Sequence, residues 1–168
     1  QYDVICGITN FSIAHSEARF RATEIGAKYL SLPDYSLELF ADNSLSVDFR
    51  EIVQQSVTLA RALTRADKVR VTTKAGTDLS LNIAGRIGNA APGCCFEKGI
   101  IASPPDAETN IAIVEDSAEG VLVVDGSIPC AEIGLLKSPI TLTFRNGFVE
   151  KIVGDHSVAK VLEGLFDK

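Results

Sequence analysis

Glu108 stands where a proline-rich turn gives way to an apolar strand, in the run SPPDAETNIAIVEDSAEGVLVVDGSI over residues 103–128. A carboxylate at such a point can ligate a metal, meet a substrate amine, or face water. Metal chemistry needs several converging donors: a catalytic zinc or paired-metal centre draws His, Asp and Glu from different segments and keeps one position open. The sequence has no HExxH, no HxD and no clustered histidines. On the residues alone Glu108 is one candidate donor without companions, and a solvated turn carboxylate is the plainer reading. Asp116, Glu119 and Asp125 flank the two expected strands of the same run, where charges usually mark solvated edges. Glu115 and Asp116 are kept as candidates for lining a site.

The other chemistry-bearing residues are sparse. There are two histidines. His15, in SIAHSEAR at an expected helix start, caps or hydrogen-bonds locally, with lining a site as its alternative. His156, in GDHSVAK, is expected to be exposed ahead of the last helix. No GxSxG nucleophile elbow occurs. Thr77 and Asp78, in the KAGTD turn, are turn formers first and site-lining candidates second. The glycine-rich run GRIGNAAPGCCFEKG matches neither GxGxxG nor GxxxxGK[ST], and no helix follows to receive an anion, so it reads as a structural or substrate-lining loop. Cys6, Cys94, Cys95 and Cys130 fit neither a zinc spacing nor a disulfide framework, and are expected to be reduced and mostly buried in a cytoplasmic protein.

The elements that must position these residues follow from periodicity. DVICGI reads as a buried strand, EARFRATEIGAK as a helix with Ala18, Ala22 and Ile25 as its apolar stripe, and AKYLSL as a second strand ended by Pro33. That order is a βα unit of a parallel sheet. LPDYSLELFADN is a loop or short helix. Residues 47–66 repeat apolar positions at helical spacing, with Ser46 or Asp48 as cap. Beyond Asp67 the texture turns to short β runs: KVRVTTK, TDLSLNIAG, TNIAIVED, EGVLVVDG, ITLTFRNG and FVEKIVG. Tight hairpins are expected at Ala75-Gly76 and Asn146-Gly147. SVAKVLEGLFDK closes as an amphipathic helix bearing Val158, Val161, Leu162 and Leu165 on one face. The expected fold class is α/β: an α/β portion over 1–66, a β-rich lobe, barrel-like or mixed-sheet, over 67–153, and a terminal helix over 154–168 leading into a missing segment.

Composition bounds the partners. With 168 residues, 46% hydrophobic and 23% charged, the chain is neither disordered nor oversized for one core or two small lobes. A net charge of -6 gives no basic footprint for nucleic acid. No apolar run reaches the length of a membrane span, and the first residues carry no signal-peptide pattern. A peptide or small-molecule substrate is the expected partner, with no nucleic acid, no membrane and a homodimer as the assembly. The absence of Met and the start on an apolar strand suggest a piece of a longer polypeptide.

Four segments in order, HSEARFRATEIGAKYLSLP, VRVTTKAGTDLSLNIAGR, PPDAETNIAIVEDSAEGVLVVDGSI and PITLTFRNGFVEKIVG, resemble the thermophilic-type metallo-aminopeptidases of the aminopeptidase T and S, leucyl aminopeptidase-like group. That broad family is also similar to the iron-dependent 2,5-dihydroxypyridine 5,6-dioxygenases. The resemblance implies metal-assisted removal of N-terminal amino acids by a chain matching a middle portion of such an enzyme, incomplete and inactive alone. It implies that Glu108 ligates a divalent zinc, cobalt or manganese that this chain does not hold by itself, the remaining ligands lying beyond Lys168. Family members carry Gly-Glu in that turn, where this sequence has Ala107-Glu108. The alternatives are an iron-dependent ring-cleaving dioxygenase of the dihydroxypyridine type, and a non-catalytic binding or assembly module on the same scaffold.

Overall fold

The computed structural model describes residues 2–166. The fold is mixed α/β and clusters into two compact units, Gln1–Leu63 with Ile87–Ile111, and Thr64–Arg86 with Ala112–Lys168.

In the first unit, β1 (Val4–Thr9), α1 (Glu17–Glu24) and β2 (Lys28–Pro33) form the expected β-α-β arrangement, with β1 and β2 parallel. The strand expected to be buried is the sheet's edge: Val4 and Ile8 are exposed, and Gly7 is its one buried residue. Gly7 must lack a side chain because a Cβ there would run into the ring and hydroxyl of Tyr29. The buried face of α1 also differs from the expected Ala18, Ala22 and Ile25. It is polar, carrying Arg19 and Thr23, while Ile25 is exposed. These polar groups tolerate burial because they are hydrogen-bonded locally. Arg19 Nε donates to the Ala14 carbonyl, and the Thr23 hydroxyl contacts the Phe20 carbonyl at 2.9 Å.

Beyond the short α2 (Leu37–Ala41) and a single 3-10 turn, α3 runs over Phe49–Arg65. Its start is held by Asp48, whose carboxylate accepts from Arg50 N–H at 2.9 Å. Its two buried residues, Ser56 and Ala60, lie one turn apart on the same face. Their small size lets backbone approach: a Cβ on Gly88 would strike the Ala60 carbonyl, and Thr109 Oγ1 donates to Ser56 O at 3.3 Å.

In the second unit, β3 (Lys68–Thr72) and β4 (Asp78–Asn82) form the expected hairpin. The first unit then resumes with β5 (Asn89–Ala91), β6 (Ile101–Ala102) and β7 (Glu108–Asn110). There β6 joins β2 in parallel, giving the order β1-β2-β6, and β5 pairs with β7 antiparallel.

The strand expected from TNIAIVED is realised only in this short β7. From Ile111 the chain leaves the ladder: Val114 N–H donates to Asn82 O at 2.8 Å, and Asp116 turns it at φ 60°. Then follow β8 (Glu119–Val124), β9 (Ser127–Ile128), β10 (Gly134–Leu135), β11 (Ile140–Arg145), β12 (Phe148–Val153) and α4 (His156–Phe166). The five-stranded antiparallel sheet has the order β12-β11-β8-β4-β3 and is open at both ends, so the barrel-like option is not what forms.

The Asn146-Gly147 turn has φ 49° and 80° at its two residues, the positive φ expected of an Asn-Gly hairpin. A core of Ile140, Leu142 and Leu162 joins β11 to α4, and each such side chain contributes about 1.5–3 kcal/mol on burial. On α4 the expected stripe is uneven, with Leu162 buried and Leu165 exposed; its extension to Lys168 lies outside the described residues. All four cysteines are free; Cys6 is exposed and the others are half-buried, less enclosed than expected. No helix among the described residues is long and apolar enough to cross a membrane.

Candidate functional site

In the parallel sheet of the first unit, the loops that follow β1 and β6 leave from the carboxyl ends of their strands. Open parallel sheets bind ligands at that end. A recess of about 250 Å³ lies there, lined by Ala14 and His15 from the first loop and by Ser103 and Asp106 from the second. Ile101 and Ala102 of β6, Ala91 of β5, Gly93 and Glu108 complete it.

Each wall has a local cause. Ser16 caps α1, its hydroxyl accepting from Arg19 N–H at 3.3 Å, so His15 is released from the capping role expected of it and faces the recess. The buried Arg19, holding the Ala14 carbonyl, ties that loop to the helix. On the other side, Asp106 N–H donates to Ser103 O at 2.9 Å and closes the proline turn. The turn rests on Gly93, whose φ of 70° and lack of Cβ admit the Asp106 carbonyl. Tyr35 donates its hydroxyl to the Pro104 carbonyl, and burial followed by the Asp106 charge holds that phenol above its ordinary range. Pairing of Ala91 with Glu108 fixes β7, and Asn110 Nδ2 donates to Glu108 Oε1.

Asp106, at the close of the proline turn, and Glu108, the first residue of β7, both line the recess. Burial raises the Asp106 carboxyl first, and the neighbouring Glu108 raises it further. Small side chains (Ala14, Ala91, Ala102, Ser103) leave width between His15 and this acidic pair. The arrangement can admit a small molecule and offer it an imidazole and carboxylate acceptors.

Of the candidate residues, the structure brings His15 and Glu108 together in this recess. Thr77, Asp78, Glu115 and Asp116 belong to the second unit and serve its turns. Thr77 is buried and its hydroxyl bridges to the Val123 backbone. Asp78 pairs with Arg70 through two hydrogen bonds of 2.7 Å, which lower its carboxyl. Glu115 is lowered by its own backbone N–H and then by Arg86, 2.5 Å away. Asp116 packs its backbone where Gly147 lacks a side chain, and Glu119 accepts from Asn146 N–H at 2.6 Å. His156 is exposed, the first residue of α4. Sequence reasoning passed over Asp106 and Gly93. The Asp-Ala-Glu alternation was the readable signal for the first; nothing local announced the second.

Among the described residues no group of three or more His, Cys, Asp or Glu side chains is placed to hold a metal ion. Glu108 as a metal ligand therefore has no assembled partner set among them.

Comparison with known proteins gives the lineage. Residues 1–168 match the family described as NicX: 2,5-dihydroxypyridine 5,6-dioxygenase. The solved structure of 2,5-dihydroxypyridine dioxygenase from Pseudomonas putida KT2440 superposes with a TM-score of 0.76 at 23% identity, a likeness of fold. The match covers 97% of this chain and 45% of that one, so this chain spans less than half the length of its solved relative. Among curated proteins none matches. The metallo-aminopeptidase identity, the hydrolase activity and the peptide-cleaving chemistry expected from the resemblance are thereby overturned: the whole-chain match is to an oxidoreductase family. The physical reason is visible in the segments that carried the resemblance. They are scaffold pieces, such as the Thr77 turn and the Asn146-Gly147 hairpin, whose residues serve backbone geometry and distinguish no chemistry. The ligand role of Glu108 loses that support and rests on the recess alone. Family membership implies a metal cofactor. The chain belongs to the 2,5-dihydroxypyridine 5,6-dioxygenase family.

Proposed function

We propose that the protein is a ring-cleaving dioxygenase of a dihydroxylated pyridine, and that the recess between His15 and the Asp106–Glu108 pair receives the ring. The observation that carries this reading is the family match over residues 1–168. The recess supports it: small side chains give a slot of single-ring scale, and its polar groups are hydrogen-bond acceptors matched to hydroxyl and ring N–H donors. His15 is the group suited to take a proton from a ring hydroxyl, because a neutral imidazole offers one ring nitrogen as an acceptor. Glu108 and Asp106 orient the ring.

Iron is the metal this reading calls for. The described residues do not assemble a donor set for it, so their part is to bind and orient the ring. A small-molecule substrate also agrees with the net charge of -6, and four free thiols agree with a cytoplasmic setting. The test is turnover by the full-length protein supplied with ferrous iron. Loss of the 2,5-dihydroxypyridine absorbance should consume one dioxygen per ring and should fall at least a hundredfold in His15→Ala, the scale of a lost general base. Ring loss that proceeds without dioxygen, or that His15→Ala leaves unchanged, would remove the proposal.

A further inference from the structure

We propose that Cys6 and Cys95 are a thiol pair oxidised by low-molecular-weight disulfides, and that their cross-link ties the loop between β5 and β6 to the edge strand β1. The inference is independent of the ring-binding reading.

Pairing of Val4 with Lys28 and of Cys6 with Leu30 puts Cys6 and Lys28 on one face of the parallel sheet. Adjacent strands lie about 4.8 Å apart and each residue rises about 3.3 Å, so their Cα atoms are roughly 8 Å apart. Lys28 Nζ donates to the Phe96 carbonyl at 2.6 Å. Cys95 precedes Phe96 in the chain, so that bond seats it beside the same face. The side chains sense one another there: burial raises the Cys95 thiol, the Lys28 ammonium lowers it, and Cys6 raises it again. Cys94 is raised by burial and then by Cys95. Cys6 is exposed on the sheet's edge strand, open to a reagent from solution, while Cys95 is half-buried behind it. Cys130 belongs to the other unit.

The loop can deliver Cys95 to Cys6. Residues 92–100 belong to no helix or strand, and Gly93 and Gly99 near its ends have φ of 70° and 75°. A disulfide needs Cα atoms about 4.4–6.8 Å apart, a distance this segment can close without breaking strand pairing. The Cys6 thiolate attacks one sulfur of a small disulfide such as oxidised glutathione and expels one thiolate. The Cys95 thiolate then attacks the Cys6 sulfur and expels the second. Both protein thiols lose a proton and are oxidised, and the small disulfide is reduced to two thiols. Lys28 favours the Cys95 thiolate in this second step, which is intramolecular and so proceeds although burial raises that thiol. In a reducing compartment the reverse exchange restores the thiols, so the bond is a reversible mark of oxidising conditions.

The experiment treats the folded full-length protein with oxidised glutathione under nitrogen, blocks the remaining thiols, and maps the linked peptides by mass spectrometry. Wild type, Cys94→Ser and Cys130→Ser should each yield the Cys6–Cys95 cross-link, and reduced glutathione in excess should remove it. Cys6→Ser should lose the cross-link. Cys95→Ser should lose it too and should accumulate the glutathione adduct on Cys6 that wild type resolves. Cys6 is exposed, so its serine variant should fold, and the trapped adduct in Cys95→Ser tests the order of attack independently of it. A wild-type bond joining Cys94 to Cys95, a Cys6 adduct that persists in wild type, or a Cys6–Cys95 bond that forms only in denaturant would overturn the proposal.

Discussion

Thr77→Val should destabilise the second unit by about 2 kcal/mol without touching the recess. Thr77 is only 3% exposed and stands one residue before β4 begins its pairing with β8. Its hydroxyl accepts from Val123 N–H at 3.0 Å and contacts Val123 O at 3.3 Å, so a side chain extends the ladder where backbone pairing has stopped. Valine preserves the shape and deletes both interactions. A buried donor left without a partner costs about 1–3 kcal/mol. The middle of that range corresponds to a midpoint lowered by about 4–8 °C for a chain of this size. Denaturant and thermal unfolding of wild type, Thr77→Val and Thr77→Ser supply the measurement. Serine keeps the hydroxyl and should lose less than valine does. A Thr77→Val protein as stable as wild type within about 0.5 kcal/mol, with Thr77→Ser the weaker variant, would refute the reasoning. It would show that the methyl group matters and the hydroxyl does not.

Two further substitutions probe the first unit. The Tyr29 hydroxyl is buried without a hydrogen-bond partner, so Tyr29→Phe should match wild type or gain up to about 1 kcal/mol; a comparable loss in chemical denaturation would reveal an unseen partner. Burial and Glu108 raise the Asp106 carboxyl in the folded state, so its ionised form opposes folding. That penalty is absent below the unfolded carboxylate range, develops as pH rises through the folded value, and is full above it. Asp106→Asn should therefore be at least as stable as wild type at neutral pH, with its relative advantage fading as pH falls below the carboxylate range; an advantage that grew on acidification would contradict the sign.

Local features of the sequence were legible where local physics decides. The β1–α1–β2 order, the long α3 with Asp48 at its start, and the Asn146-Gly147 hairpin all depend on residues close in the chain. The stripe on α1 was misread because periodicity weighs apolar residues, whereas this helix buries Arg19 and Thr23 with their hydrogen bonds satisfied nearby. The run after Asn110 looked like a strand by composition, yet the Val114 bond to Asn82 and the turn at Asp116 take it out of any ladder. The recess itself could not be read locally. His15 and Glu108 meet because β6 adds to β2 and β7 pairs with β5, long-range choices that no short window encodes. Asp106 was within reach of sequence reasoning through its alternation with Glu108. The turns shared with the aminopeptidases serve backbone geometry, so a resemblance through them does not separate hydrolase from dioxygenase.

The most direct test of the account is the fate of dioxygen. The full-length protein, supplied with ferrous iron and 2,5-dihydroxypyridine under heavy-isotope dioxygen, should yield a ring-opened product carrying both atoms of the labelled gas. A product whose new oxygen comes from water, or an intact ring alongside release of amino acids from a peptide substrate, would contradict it.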